Sequence, residues 1–182
     1  GYVGTPTSQA SLPIFTEAKV PFVGAFTGAE LLRAPFNRYI FNVRASYFDE
    51  TEAIVQHLTA MSVNKIAVFY QNDGFGKSGL DGVTVALKKH NLAPTAAATV
   101  ERNSVDVTAA VEAIAKSKPQ AVVMVTLYKP TAAFVKAMKK ANQSPMFMTL
   151  SPVGTEQLVA ELGPDARGIG ISQVMPYPFN DI

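Results

Sequence analysis

Short, almost unbroken apolar runs alternate with amphipathic stretches along most of this chain, and that alternation limits its fold more than anything else. Ile66-Ala67-Val68-Phe69-Tyr70 and Ala121-Val122-Val123-Met124-Val125 place apolar residues on consecutive positions. Strands of that kind have both faces covered. The segments between them carry apolar residues at helical spacing, as in Ile54, Val55, Leu58 and Met61. Parallel neighbours need a crossover, usually a helix, and right-handed crossovers put helices on both sides of the sheet. The expected fold class is therefore α/β: a doubly wound, open parallel sheet in a three-layer α/β/α arrangement.

The same periods give the elements. Thr7 or Ser8 caps a helix running to about Lys19, with Leu12, Ile14, Phe15 and Ala18 as buried positions and Pro13 expected to kink or interrupt it. Short strands follow at 20–24 and 39–43, with a helical turn over 29–33 between them. Asp49 or Thr51 caps the next helix. Helices are then expected over 78–90, 107–115, 131–141 and 155–162, and strands over 65–70, 94–100, 121–127, 146–150 and 168–174. Residues 46–175 thus read as a nearly complete α/β lobe and residues 1–45 as part of another, with 176–182 leading onward. The start at Gly1-Tyr2-Val3 reads as the end of a strand, so a piece of a longer protein is expected.

Charge and composition exclude several functions. Sixteen Lys and Arg face 14 Asp and Glu among 182 residues, with no basic stripe. No nucleic-acid partner is expected, because phosphate neutralisation needs clustered cations. No cysteine is present, which removes disulfides, thiolate metal sites and a cysteine nucleophile. The apolar runs fall far short of the ~20 residues that span a bilayer, and a soluble domain is expected. His57 and His90 have no carboxylate or second histidine at ligand spacing, so neither a metal nor a catalytic residue is assigned. Asp49, Glu50 and Glu52 read as carboxylates favoured by a helix N-terminus.

One motif points elsewhere. Gly74-Phe75-Gly76-Lys77-Ser78-Gly79 matches G-x-G-x-x-G between a strand and a helix, the pattern that admits a pyrophosphate to a helix N-terminus. Gln71-Asn72-Asp73 separates the strand from the first glycine, and the ribose-binding carboxylate has only a loose match in Glu101. A flexible strand-to-helix turn is the plainer reading. A nucleotide-dependent α/β enzyme is its functional alternative.

In open α/β sheets, ligands bind outside the carboxyl ends of the strands. The segments there are Gly4-Thr5-Pro6-Thr7-Ser8, Ala25-Phe26-Thr27-Gly28, Asn72-Asp73-Gly74-Phe75, Thr126-Leu127-Tyr128 and Leu150-Ser151-Pro152. Together with Phe41-Asn42-Val43-Arg44, Pro119-Gln120-Ala121 and Pro152-Val153-Gly154, their order resembles the type I periplasmic substrate-binding proteins of ABC transporters, in the branched-chain amino-acid group. The resemblance implies two lobes of that fold, with hinge crossings near 44–47 and 175–178, in a protein about twice this long. It implies a periplasmic or extracytoplasmic binding protein that is not an enzyme, uses no cofactor, and delivers a small carboxylate-bearing ligand to a membrane permease.

Residue by residue, the resemblance implies that hydroxyls and N–H groups of Thr5, Thr7 and Ser8 hold the ligand carboxylate. Ala25 and Thr27 would serve the carboxylate and amino group, and Phe75 and Tyr128 would close over the ligand, with Phe26 adding apolar surface. Ser151 stands where amino-acid binders carry a glutamate for the ligand ammonium. An aromatic or aliphatic acid is therefore expected over an α-amino acid, unless Asp73 turns inward as a substitute. A receptor's sensory domain shares the fold and is the further alternative. Residues 1–45, short of pairing neighbours, are expected to associate or move.

Overall fold

The structure is a computed structural model and describes residues 2–175. Its first segment supplies α1 (Thr5–Glu17) and a two-stranded parallel sheet of β1 (Phe22–Val23) and β2 (Ile40–Phe41), with Phe22 opposite Ile40. A parallel bridge joins Val3 to Phe26. The regular run follows: α2 (Tyr47–Ala60), β3 (Ile66–Gln71), α3 (Gly74–Lys89), β4 (Ala97–Val100), α4 (Thr108–Lys116), β5 (Ala121–Val125), α5 (Tyr128–Lys140), β6 (Met146–Thr149), α6 (Thr155–Leu162) and β7 (Ile169–Ile171). Its five strands form one all-parallel sheet in the order β4-β3-β5-β6-β7. The chain winds from β3 to β4 on one side, then returns to β5 on the other. The switch point therefore lies between β3 and β5, where open α/β sheets leave a crevice.

The doubly wound arrangement is visible residue by residue in the core. Ile66, Val68, Ala121, Val123 and Val125 point to one face and pack with Ile54, Val55 and Leu58 of α2 and Val83 and Leu87 of α3. Ala67, Phe69, Val122 and Met124 point to the other face, against Ile114 of α4, Phe134 and Met138 of α5, and Leu158 of α6. Phe69 and Phe134 stack with ring centroids 4.1 Å apart. Each such side chain, fully buried, contributes roughly 1.5–3 kcal/mol relative to exposure.

Several expectations need correction. α1 starts at Thr5, capped by the Gly4 backbone, and runs through Pro13 without a break. Ile14 is exposed, as is Ala18, because α1 buries the small polar face of Thr5, Ser8 and Ser11 together with Phe15. α2 is capped by Ser46, not by Asp49 or Thr51: the Ser46 hydroxyl accepts from the Asp49 N–H, and the Asp49 carboxylate accepts from the Ser46 N–H. Gly74 to Gly79 are the first turns of α3 and not a flexible turn. β1 and β2 are two residues each, shorter than the runs that suggested them. The connection expected over 176–182 lies outside the described residues.

Candidate functional site

A cleft of about 210 Å³ opens at the switch point. Gly4, Pro6 and Phe26 of the first segment line it together with Asp73, Phe75 and Arg102. A second cavity, of about 240 Å³, shares Gln71, Asn103 and Leu127 with the first and adds Tyr128 and Lys129. The two adjoin along the carboxyl ends of β3, β4 and β5. A larger cavity of about 350 Å³ lies between α1 and the segment leading into β2. It is at the amino end of that strand, away from the helix N-termini and the switch point, so the strand-end cleft is the stronger candidate.

The amino end of α1 faces this cleft through Gly4. No side chain caps it, Pro6 has no N–H, and the N–H groups of Thr5 and Thr7 have no partner among the described residues. An uncapped helix start offers donors and a partial positive charge to an anion. The hydroxyls nearby are differently placed. Thr5 and Thr27 are buried and their hydroxyls lie 2.7 Å apart. The Thr27 hydroxyl also accepts from the Ala29 N–H, and the Thr27 N–H donates to the Ala25 carbonyl. The Ser8 hydroxyl donates to the Gly4 carbonyl, and Thr7 is exposed. The groups expected to touch a ligand directly thus mostly tie α1 to the loop after β1, leaving the backbone N–H groups of α1 as the free donors.

Phe75 is buried and meets Tyr47 edge-on, with centroids 5.4 Å apart. Together with half-exposed Phe26 they make the apolar wall. Asp73 caps α3: one carboxylate oxygen accepts from the Phe75 and Gly76 N–H groups, and the other from the Gln71 amide at 2.6 Å. A carboxylate therefore already occupies the helix N-terminus that a pyrophosphate would need. The glycines have a packing reason as well. A Cβ on Gly76 would lie 1.9 Å from the Gln71 carbonyl oxygen, and one on Gly79 2.4 Å from Val125. The G-x-G-x-x-G match is how α3 docks onto β3 and β5.

Ser151 does not line the cleft; its neighbour Pro152 does. Ser151 belongs to a buried polar network. The Ser151 N–H and hydroxyl and the Ser172 hydroxyl all donate to the Glu50 carboxylate. Arg44 forms an ion pair with Glu50 and donates to the Ser151 hydroxyl at 3.1 Å. The Arg44 guanidinium also packs 5.2 Å from the Tyr47 ring centroid and 5.7 Å from that of Phe26. Reading Glu50 as a helix-dipole carboxylate is corrected: that description fits Asp49, whereas Glu50 is a buried counter-ion. Arg44, Glu50 and Arg102 were not among the expected site residues. Arg102 was within reach of the strand-end rule, since it lies two residues past the end of β4. Nothing in sequence spacing linked Arg44 and Glu50 to Ser151, 101 residues from Glu50.

Comparison with known proteins gives the family and the fold. The family model described as periplasmic binding protein matches residues 1–181. No curated protein matches the chain. Among solved structures, a possible leucine/isoleucine/valine-binding protein from Rhodopirellula baltica SH 1 is 35% identical with a TM-score of 0.88, over 97% of this chain and 49% of that one. A substrate-binding periplasmic protein from Ralstonia solanacearum is 32% identical with a TM-score of 0.88, over 96% of this chain and 50% of that one. A branched-chain amino acid ABC transporter protein from Thermus thermophilus with bound valine is 21% identical with a TM-score of 0.83, over 92% of this chain and 44% of that one, and speaks for the fold alone. The chain spans about half the length of these structures.

Proposed function

Because the chain belongs to the periplasmic binding protein family, we propose that it is the cleft-forming part of an extracytoplasmic solute-binding protein that serves an ABC transporter. The ligand is a small organic acid held by its carboxylate at the start of α1 and by its apolar body against Phe26 and Phe75. The protein binds and releases; it performs no chemistry on the ligand. Residues 1–45 and 46–175 act as parts of two lobes that close about the crossing near Arg44 to Tyr47, and a membrane permease accepts the ligand from the closed form.

One observation carries the choice of ligand class. The backbone donors at the start of α1 are free, whereas the carboxylates beside the cleft already accept hydrogen bonds, Asp73 from the α3 N-terminus and the Gln71 amide and Glu50 from Arg44, Ser151 and Ser172. An ammonium group would have to compete with those donors for a carboxylate oxygen, and one left without a counter-ion costs several kcal/mol. An α-amino acid is the competing reading, favoured by the description of the Rhodopirellula baltica relative.

A thermal-shift series on the full-length gene product tests the binding function. It uses 4-methylpentanoate, 3-phenylpropanoate, ATP and NAD. A ligand at about 100 times its Kd adds ~2.7 kcal/mol of stability, so an acid that binds raises Tm visibly and Phe75→Ala reduces that rise. Stabilisation by ATP or NAD, with none by either acid, overturns the proposal.

A further inference from the structure

Resting on that reading of the cleft as a carboxylate site, we infer that its ligand is a hydroxy acid and that the Gln71 side chain reads the hydroxyl. Gln71 ends β3 and is only 5% exposed, yet it borders both strand-end cavities. Its amide is held from one side. The Nε2 group donates to the Asp73 carboxylate at 2.6 Å. A carboxylate accepts and does not donate, so the Gln71 Oε1 atom is turned away from Asp73. No group among the described residues donates to that oxygen. Arg44 Nη1 is the one completely enclosed side-chain polar atom without a partner among the described residues. The Gln71 oxygen therefore keeps contact with the open space of the cavities.

The groups behind this amide are fixed. The Asp73 N–H donates to the Gln71 main-chain carbonyl, and the first turn of α3 packs so closely on that carbonyl that Gly76 has no room for a Cβ. Asp73 is anchored in turn by the Phe75 and Gly76 N–H groups. The acceptor thus stands in one orientation before a ligand arrives, which lowers the cost of binding. A ligand whose apolar body fills the cleft shuts this oxygen from water, and a buried acceptor left without a donor carries the full penalty of desolvation. The Gln71 carbonyl is neutral, so a neutral donor satisfies it without adding a charge. A hydroxyl does this, and it needs no counter-ion where Asp73 and Glu50 already accept hydrogen bonds.

Calorimetry on the full-length gene product compares 3-(4-hydroxyphenyl)propanoate with 3-phenylpropanoate and 2-hydroxy-4-methylpentanoate with 4-methylpentanoate. In at least one pair the hydroxy acid binds roughly tenfold or more tighter, because a site built around a hydroxyl rejects the analogue that lacks it. Gln71→Met keeps the length of the side chain and removes the acceptor. It brings that ratio close to one, whereas a general loosening of the cleft weakens both acids alike. The matching fluoro acids fill the space of the hydroxyl and donate nothing, so they bind like the unsubstituted acids. Should Gln71→Met not fold, the fluoro acids in the unaltered protein decide. Hydroxy acids that bind no tighter than their parents, fluoro acids that bind as tightly as the hydroxy acids, or a ratio that Gln71→Met leaves in place overturns the inference while the carboxylate reading stands. Binding of none of the acids overturns both.

Discussion

Glu50 has a larger structural role than its place in an acidic run suggests. Its carboxylate takes donors from Arg44, Ser151 and Ser172, which joins α2 to the segments that follow β6 and β7. Removing one partner of a buried ion pair leaves the other charged and unpaired, at a cost of about 3–5 kcal/mol. Glu50→Gln is therefore expected to lower unfolding free energy by about 3 kcal/mol in denaturant titration. The double replacement Arg44→Met with Glu50→Leu should recover most of that loss. A Glu50→Gln protein as stable as the parent contradicts this account of the network. Asp49, one residue earlier, acts through hydrogen bonding at the surface. The Ser46 N–H, and then its hydroxyl, hold the Asp49 carboxyl below its ordinary value of 3.8. Its contribution is present above that value and is lost as pH falls through the lower folded-state value. The stability gap between the protein and Asp49→Ala should thus narrow on acidification below 3.8; a gap that widens contradicts the capping assignment.

At the scale of elements, α3 shows how a motif and a packing requirement can share one spelling. Gly76→Ala forces a Cβ against the Gln71 carbonyl, and overpacking of this kind costs roughly 1–3 kcal/mol or more. Urea unfolding should show that loss, and an unchanged midpoint would return the glycines to the status of a ligand loop. The buried strands were legible in the sequence because burial on both faces leaves an unbroken apolar run, as in β3 and β5. α1 was legible only in part: its inward face is Thr5, Ser8 and Ser11, so apolar spacing pointed to Ile14 instead. Of the residues that the strand-end segments and the family resemblance singled out, Phe26, Asp73 and Phe75 line one cavity and Tyr128 the adjoining one. Sequence order did not reveal that Asp73 is a cap or that Ser151 is bound by Glu50, since both depend on side-chain partners that spacing does not encode.

Across the whole molecule, the two sheets differ in how well they are covered. Both faces of the five-stranded sheet carry helices, whereas Val23, Phe41 and Val43 beside the two-stranded sheet are more than half exposed. Hydrogen exchange on the 182-residue chain should find the bonded amides of Phe22 and Gly24 opening well before those of β3 and β5; equal protection throughout a monomer contradicts this.

In the cleft, backbone donors for a carboxylate are free among the described residues, while Asp73 and Glu50 already accept hydrogen bonds. Isothermal calorimetry on the full-length gene product, setting leucine against 4-methylpentanoate and phenylalanine against 3-phenylpropanoate, tests this account of the cleft most directly. The deaminated acid of at least one pair should bind ten or more times tighter, a margin of ~1.4 kcal/mol. If the amino acids bind tenfold tighter instead, and Asp73→Asn abolishes that preference, then Asp73 receives an ammonium group and the account of the cleft is wrong.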